Sequence, residues 1–182
     1  MKVQELKLSG VYRLEPKVHM DARGFFMESY NSLFNQELGF HCTFIQDNQS
    51  LSIDVGTIRG LHYQLNPKAQ TKLVSVVSGA IYDVVVDIRR TSPTFGQWVG
   101  EVLNSKNNRQ LLIPHGFAHG FCTLEPQTRV LYKVDDYYSP EHERGILWND
   151  PLLDIEWPTK QPILSDKDLT LPHFKDAELN FE

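Results

Sequence analysis

Thr71–Lys72–Leu73–Val74–Ser75–Val76–Val77–Ser78–Gly79–Ala80–Ile81–Tyr82–Asp83–Val84–Val85–Val86–Asp87–Ile88 is the stretch that decides the fold. Its valines at 74, 76, 77, 84, 85 and 86 are stiff, β-branched side chains that fit a pleated sheet better than a helix. Ser78–Gly79 between two such runs predicts a β-hairpin joining strands over 71–78 and 80–88. Working outward, further strands are predicted near 97–103, 110–113, 116–124 and 129–135. On the N-terminal side, short alternating stretches between Val3 and Leu14 also read as strand. Asp21–Ala22–Arg23–Gly24 reads as a turn, with extended structure resuming over 25–30.

One early helix is expected over 31–39. Asn31 can cap it, Leu33, Phe34 and Leu38 supply an apolar stripe, and Gly39 can stop it. Many short strands separated by Gly, Pro and Asn turns indicate an all-β closed sheet or jelly roll with short helices. No βαβ spacing, GxGxxG or P-loop supports a nucleotide-cofactor fold. The loop-rich tail, with Trp148–Asn149–Asp150–Pro151 and Ile155–Glu156–Trp157–Pro158, is too apolar for a disordered end and is expected to pack over the barrel.

At 182 residues the chain is expected to be one domain with one site. A net charge of -5 speaks against a nucleic-acid partner, though not against a small anion held by a few arginines. No apolar run is long enough for a membrane span and the first residues lack a secretory pattern, so a cytoplasmic location is expected. Cys42 and Cys122 fit no disulfide or zinc spacing and read as two reduced, mostly buried thiols.

Chemistry-bearing residues stand out against this background. His62 lies in Gly56–Thr57–Ile58–Arg59–Gly60–Leu61–His62–Tyr63–Gln64, and His115 and His119 lie in Pro114–His115–Gly116–Phe117–Ala118–His119–Gly120–Phe121. Histidines near glycines in strand-like sequence are costly to bury without a purpose. Strand alternation puts Lys72 on a face shared with Val74 and Val76, so its amine points either into a barrel lumen or out past an apolar patch. Tyr132 shares a face with Val130 and Val134, a core position by default for a tyrosine. Tyr137 and Tyr138 begin a loop and could stack on a flat ring.

Several ordered blocks carry a resemblance. They are Asp21–x–Arg23–Gly24–Phe25–Phe26–x–Glu28, Gln46–Asp47–Asn48, Arg59–Gly60–Leu61–His62–Tyr63–Gln64, Lys72–Leu73–Val74, Asp87–Ile88–Arg89, Pro93–Thr94–Phe95–Gly96, Ile113–Pro114–x–Gly116–Phe117–Ala118–His119–Gly120–Phe121, Tyr132–Lys133 and Leu164–Ser165–x–Lys167–Asp168. Together they resemble the dTDP-4-dehydrorhamnose 3,5-epimerase family over nearly the whole chain. One departure is His19, where that family commonly has an aromatic residue.

The resemblance implies a cupin-like jelly-roll barrel, a homodimer and a cofactor-free reaction. That reaction would invert C3 and C5 of dTDP-4-dehydro-6-deoxy-D-glucose. It implies His62 as base, Asp168 as its carboxylate partner, Tyr132 as proton donor, and Lys72 and His119 as polar groups at the sugar. Arg23, Glu28, Gln46, Asn48, Arg59, Glu143 and Lys167 match nucleotide-sugar-binding positions, and Tyr138 an aromatic near the thymine. No metal is expected: where a metal-binding cupin offers His-x-His and then Glu, this chain offers His62–Tyr63–Gln64 and then Lys72, whose ammonium repels a cation. Open alternatives are a 3- or 5-mono-epimerase or ketoisomerase on a related dTDP sugar, and a non-catalytic nucleotide-sugar-binding cupin.

Overall fold

The computed structural model describes residues 1–34, 39 and 42–182. Two antiparallel sheets face each other. The first runs β1 (Lys2–Glu5), β2 (Tyr12–Glu15), β10 (Gln110–Ile113), β7 (Lys72–Ser78), β12 (Thr128–Val134), β5 (Gln46–Ser52). The second runs β13 (Glu143–Gly145), β6 (Ile58–Gln64), β11 (Phe117–Thr123), β8 (Ala80–Asp87), β9 (Trp98–Asn104). A separate hairpin pairs β3 (Val18–Asp21) with β4 (Gly24–Met27) around the expected turn, where Asp21 Oδ1 accepts from the Arg23 amide at 2.8 Å. This is the all-β, cupin-like jelly roll expected from the sequence.

The hairpin predicted at Ser78–Gly79 is corrected. β7 pairs with β10 and β12, while β8 pairs with β11 and β9, so the chain changes sheet at Gly79 instead of folding back. Gly79 has φ +80°, and a Cβ there would sit 2.9 Å from Thr128 Cα, so the corner is closed to any other residue. The valines explain the outcome. Both β7 and β8 lie inside their sheets with a neighbour on each side, and a Ser–Gly step serves a sheet-to-sheet corner as readily as a tight turn.

Strand parity sorts the apolar residues into layers. Between the sheets lie Val74, Val76, Ile81, Val85, Leu111, Ile113, Phe117, Phe121 and Val130, with Tyr132 against them. Lys72 shares the Val74/Val76 face and therefore points into the barrel, which settles the choice that alternation left open. On the outer face of the second sheet, Leu61, Tyr63, Val84 and Val86 are covered by Leu153, Trp157, Ala177 and Phe181. The Tyr63 hydroxyl donates to Glu178 O at 2.7 Å, tying this tail to β6.

The expected helix over 31–39 begins as foreseen. The amides of Leu33 and Phe34 donate to Asn31 Oδ1 and Asn31 O, each at 3.0 Å. Its continuation through 35–38 lies outside the described residues. No helix among the described residues is long and apolar enough to cross a membrane. Cys122 is buried, which pushes its thiol up to about 11, whereas Cys42 is only half-buried; no disulfide joins them.

Candidate active site

The two histidine stretches meet in the second sheet, where His119 on β11 is the register partner of His62 on β6. Close approach here depends on glycine: a Cβ on Gly120 would lie 2.8 Å from Arg59 O, and Gly60 has φ +137°. His62 directs Nε2 to Asp168 Oδ1 at 2.6 Å. Asp168 belongs to the single-turn helix α1 (Asp166–Leu169), capped by Ser165. The Ser165 hydroxyl donates to Asp168 Oδ2 at 2.9 Å and accepts from the Asp168 amide at 3.2 Å. The segment before the helix is moored to the start of β6 and the turn before it through Ile58 N to Ile163 O and Ile163 N to Gly56 O, both 3.0 Å.

Burial works to raise the Asp168 pKa, but the His62 hydrogen bond and charge, the Ser165 hydroxyl and Lys167 outweigh it and hold the carboxyl below its usual range. Because an ionised carboxylate only accepts, His62 carries its hydrogen on Nε2 and leaves Nδ1 bare. A bare imidazole nitrogen backed by a carboxylate is suited to take a proton near neutral pH.

Two adjoining cavities share His62, Lys72 and Tyr132 as walls. One, of about 340 Å³, is also lined by Gln46, Asn48, Tyr138 and Glu143. The other, of about 260 Å³, is also lined by Ser50, Arg59, His119 and Lys167. Polar inward positions on β5 supply Gln46 and Asn48, joined at 2.8 Å. Arg59 is braced by Ser52 Oγ and Leu51 O, both at 3.1 Å. At the mouth, the Tyr138 hydroxyl donates to Glu143 Oε2 at 2.7 Å, and Glu143 pairs with Lys167.

Lys72 and Tyr132 enter from the opposite wall, on adjacent strands of the first sheet. The Lys72 amine donates to His62 O at 3.4 Å. Burial lowers its pKa to about 8, against the opposing pull of the Asp83 and Glu143 carboxylates. Burial raises the Tyr132 pKa, with Arg59 opposing and Glu143 adding, so the phenol keeps its proton at neutral pH. An imidazole on one wall, with a phenol and an ammonium on the other, can deprotonate a carbon acid, hold the resulting enolate and reprotonate its far face.

Arg23 and Glu28 stand apart from the rest. Arg23 lies in the β3–β4 turn with its side chain 90% exposed and paired to Asp21 at 2.6 Å. Glu28, just beyond β4, borders a separate cleft with Lys17, His19, Phe26 and Phe34. His115 faces Asp135 at 3.1 Å on the protein exterior, so it does not converge with His119. Among the described residues no three His, Cys, Asp or Glu side chains are grouped to hold a metal ion.

Ser165 and Asp83 are among the site residues that carry no role in the sequence reading. Ser165 had a visible signal, a serine three residues before the acidic residue of a short helix, which is an N-cap spacing. Asp83 had another, a carboxylate in the middle of a valine run; it is fully buried and meets His119 Nε2 at 2.9 and 3.0 Å.

Known proteins resemble this chain throughout its length. The family profile described as dTDP-4-dehydrorhamnose 3,5-epimerase matches residues 5–176. The Shigella flexneri protein of that name is 52% identical over 179 residues, covering 98% of each chain. The Bacillus anthracis enzyme, solved with TDP and PPi bound, superposes with a TM-score of 0.92 at 59% identity over 94% of this chain and 98% of that one. The Legionella pneumophila enzyme, solved in complex with dTDP-4-keto-L-rhamnose, gives a TM-score of 0.91 at 46% identity over 96% of this chain and 93% of that one. By sequence and by fold, the chain belongs to the dTDP-4-dehydrorhamnose 3,5-epimerase family.

Proposed function

We propose that this protein converts dTDP-4-dehydro-6-deoxy-D-glucose to dTDP-4-dehydro-L-rhamnose by inverting C3 and C5 of the sugar. His62 Nδ1 takes the proton from the carbon beside the C4 ketone; the electron pair of the broken C–H bond forms a C=C bond to C4, and the π pair of the ketone moves onto its oxygen. Lys72 stabilises that enolate where its charge develops, and His119 lies beside the sugar. Tyr132 then gives its proton to the opposite face of the carbon. Solvent removes the proton from His62 and restores the one on Tyr132, so no proton is consumed overall. Arg59 and Lys167 meet the pyrophosphate, and Gln46, Asn48, Tyr138 and Glu143 line the path of the nucleoside.

The observation carrying this reading is that the His62–Asp168 pair at 2.6 Å opens onto the same cavity as Tyr132, from the facing sheet. The test is to incubate the protein with dTDP-4-dehydro-6-deoxy-D-glucose in deuterium oxide and follow the sugar by NMR. Deuterium should enter at both C3 and C5. Exchange confined to one carbon would make the protein a mono-epimerase, and none at either would remove the activity.

Arg23 and Glu28 join this site when a second copy of the chain carries them there, and a cytoplasmic homodimer is the working form we propose. In support, the β3–β4 hairpin bearing Arg23 exposes Met20, Phe25 and Phe26, the last by 69%, an apolar surface of the kind partners cover. Mixing an Arg23→Glu chain with a His62→Ala chain should restore activity in mixed dimers, because one of the two sites then has both residues intact. Activity that stays absent on mixing, or a monomer by light scattering, contradicts the shared site.

A further inference from the structure

The reaction above leaves a carboxylate of the barrel interior without a task. Asp83 sits on β8 between Ile81 and Val85, two residues of the apolar interior, with no exposed surface. A lone carboxylate in such a layer is costly unless its charge is answered. Its oxygens are answered on one side by His119 Nε2, at 3.0 and 2.9 Å. Lys72, which lines the same cavity as His119, supplies the nearby positive charge.

We propose that Asp83 is a positioning residue for the epimerisation: it fixes the His119 ring through Nε2–H and supplies the counter-charge for the Lys72 ammonium. The inference rests on the reading of Lys72 as the group that meets the enolate oxygen and of His119 as a polar neighbour of the sugar. A lysine stabilises an enolate only while protonated, and an apolar barrel disfavours that form. The titratable and charged groups around Lys72 are Arg59, His62 and Tyr63 from β6, Asp83 from β8, His119 from β11, Tyr132 from β12, Glu143 from β13, Lys167 and Asp168 from α1, and Tyr138 at the mouth; Asp168 is taken up by His62. Burial lowers the amine's pKa to about 8, and of these groups Asp83 and Glu143 raise it in opposition. Glu143 is already paired with Lys167 and Tyr138 at the cavity mouth, so Asp83 is the interior carboxylate left for Lys72. His119 gains as well: with Nε2–H held by a carboxylate, its Nδ1 edge is set in one orientation.

The consequence is a sign that can be checked. Losing the Asp83 charge lowers the Lys72 pKa further, so the alkaline limb of the rate profile moves to lower pH. Nearby charges shift such groups by about one to two units, which at pH 8 means a five- to fiftyfold loss for Asp83→Asn. At pH 6 the loss should be about twofold or less, and KM for the dTDP sugar should hold within about threefold at both values. A damaged fold would lower the rate by one factor at every pH.

The experiment measures the pH dependence of kcat for wild type and Asp83→Asn by solvent deuterium incorporation. A downward shift of the alkaline limb supports the proposal, and an unmoved limb overturns it. Should Asp83→Asn fail to fold, imidazole nitrogen shifts of the wild-type protein still decide whether His119 carries its hydrogen on Nε2, and a hydrogen on Nδ1 alone overturns it. Wild-type protein that exchanges no deuterium would defeat the proposed reaction itself, an outcome separate from an active enzyme whose Asp83→Asn profile is unchanged.

Discussion

Replacing Asp168 by asparagine keeps the shape of the site and removes the charge behind His62. The bond lost is charge-assisted, 2.6 Å long and set on a carboxylate whose side chain is 4% exposed. Hydrogen bonds to charged partners contribute about 1.5–3 kcal/mol, and 1.36 kcal/mol is one decade in rate. Asp168→Asn should therefore lower kcat by about 10- to 150-fold. An asparagine that turns its amide toward His62 makes Nε2 an acceptor and puts the hydrogen on Nδ1, so the loss belongs at the upper end. The Ser165→Ala change removes only the neutral hydroxyl behind the carboxylate, worth about 0.5–1.5 kcal/mol, and should cost about two- to twelvefold. Steady-state rates of deuterium incorporation at pH 7.5 give both numbers, with KM expected within about threefold of wild type because neither side chain is assigned to bind the substrate. An Asp168→Asn protein that is folded and retains kcat within threefold would falsify the role given to the pair.

Stability should fall in acid. Burial raises the pKa of Asp87, Asp135, Asp150 and Asp168, but hydrogen bonds and charges outweigh it: Arg89, Ser92 and Thr94 at Asp87, His115 and Thr71 at Asp135, the Phe174 and Leu152 amides at Asp150, and His62 at Asp168. A depressed native pKa contributes stability that is complete above the unfolded value near 4 and is lost as pH falls through the native one. Tm should thus hold level from about pH 7 to 5 and drop below about pH 4.5, and a Tm unchanged at pH 3 would count against these pairings. Gly79→Ala should destabilise by about 2–4 kcal/mol, since it adds a left-handed residue at φ +80° and a clash with Thr128. Urea denaturation measures it, and a loss under 1 kcal/mol would mean that the corner relaxes.

Particular residues show how far the sequence can be read. β-branched runs made the strands legible, because a valine pattern constrains the backbone locally. Which strands become neighbours was not legible at Ser78–Gly79, since the same dipeptide can turn a chain within a sheet or hand it to another. Only the long-range pairing of β7 with β10 and β12 decides between them. Parity placed Lys72 with Val74 and Val76, but the direction of that face needed the second sheet. His62 and His119 could be singled out as polar residues in strands of glycine and aromatics, and their register pairing brings them together. Asp83 escaped because a single acid in a valine run resembles an outward-facing position until burial is known. Arg23 and Glu28 mark the opposite limit: the resemblance implies that they bind substrate, and the tertiary structure of one chain leaves them outside the two cavities.

The central claim is that base and acid approach the sugar carbon from different walls of the barrel, and one comparison tests it most directly. His62→Ala and Tyr132→Phe are incubated with dTDP-4-dehydro-6-deoxy-D-glucose in deuterium oxide, and exchange and inversion are scored separately by NMR. His62→Ala should abolish exchange at both C3 and C5. Tyr132→Phe should still exchange deuterium while forming little inverted product. Equal and complete loss of both processes in the two variants would contradict separate roles for the imidazole and the phenol.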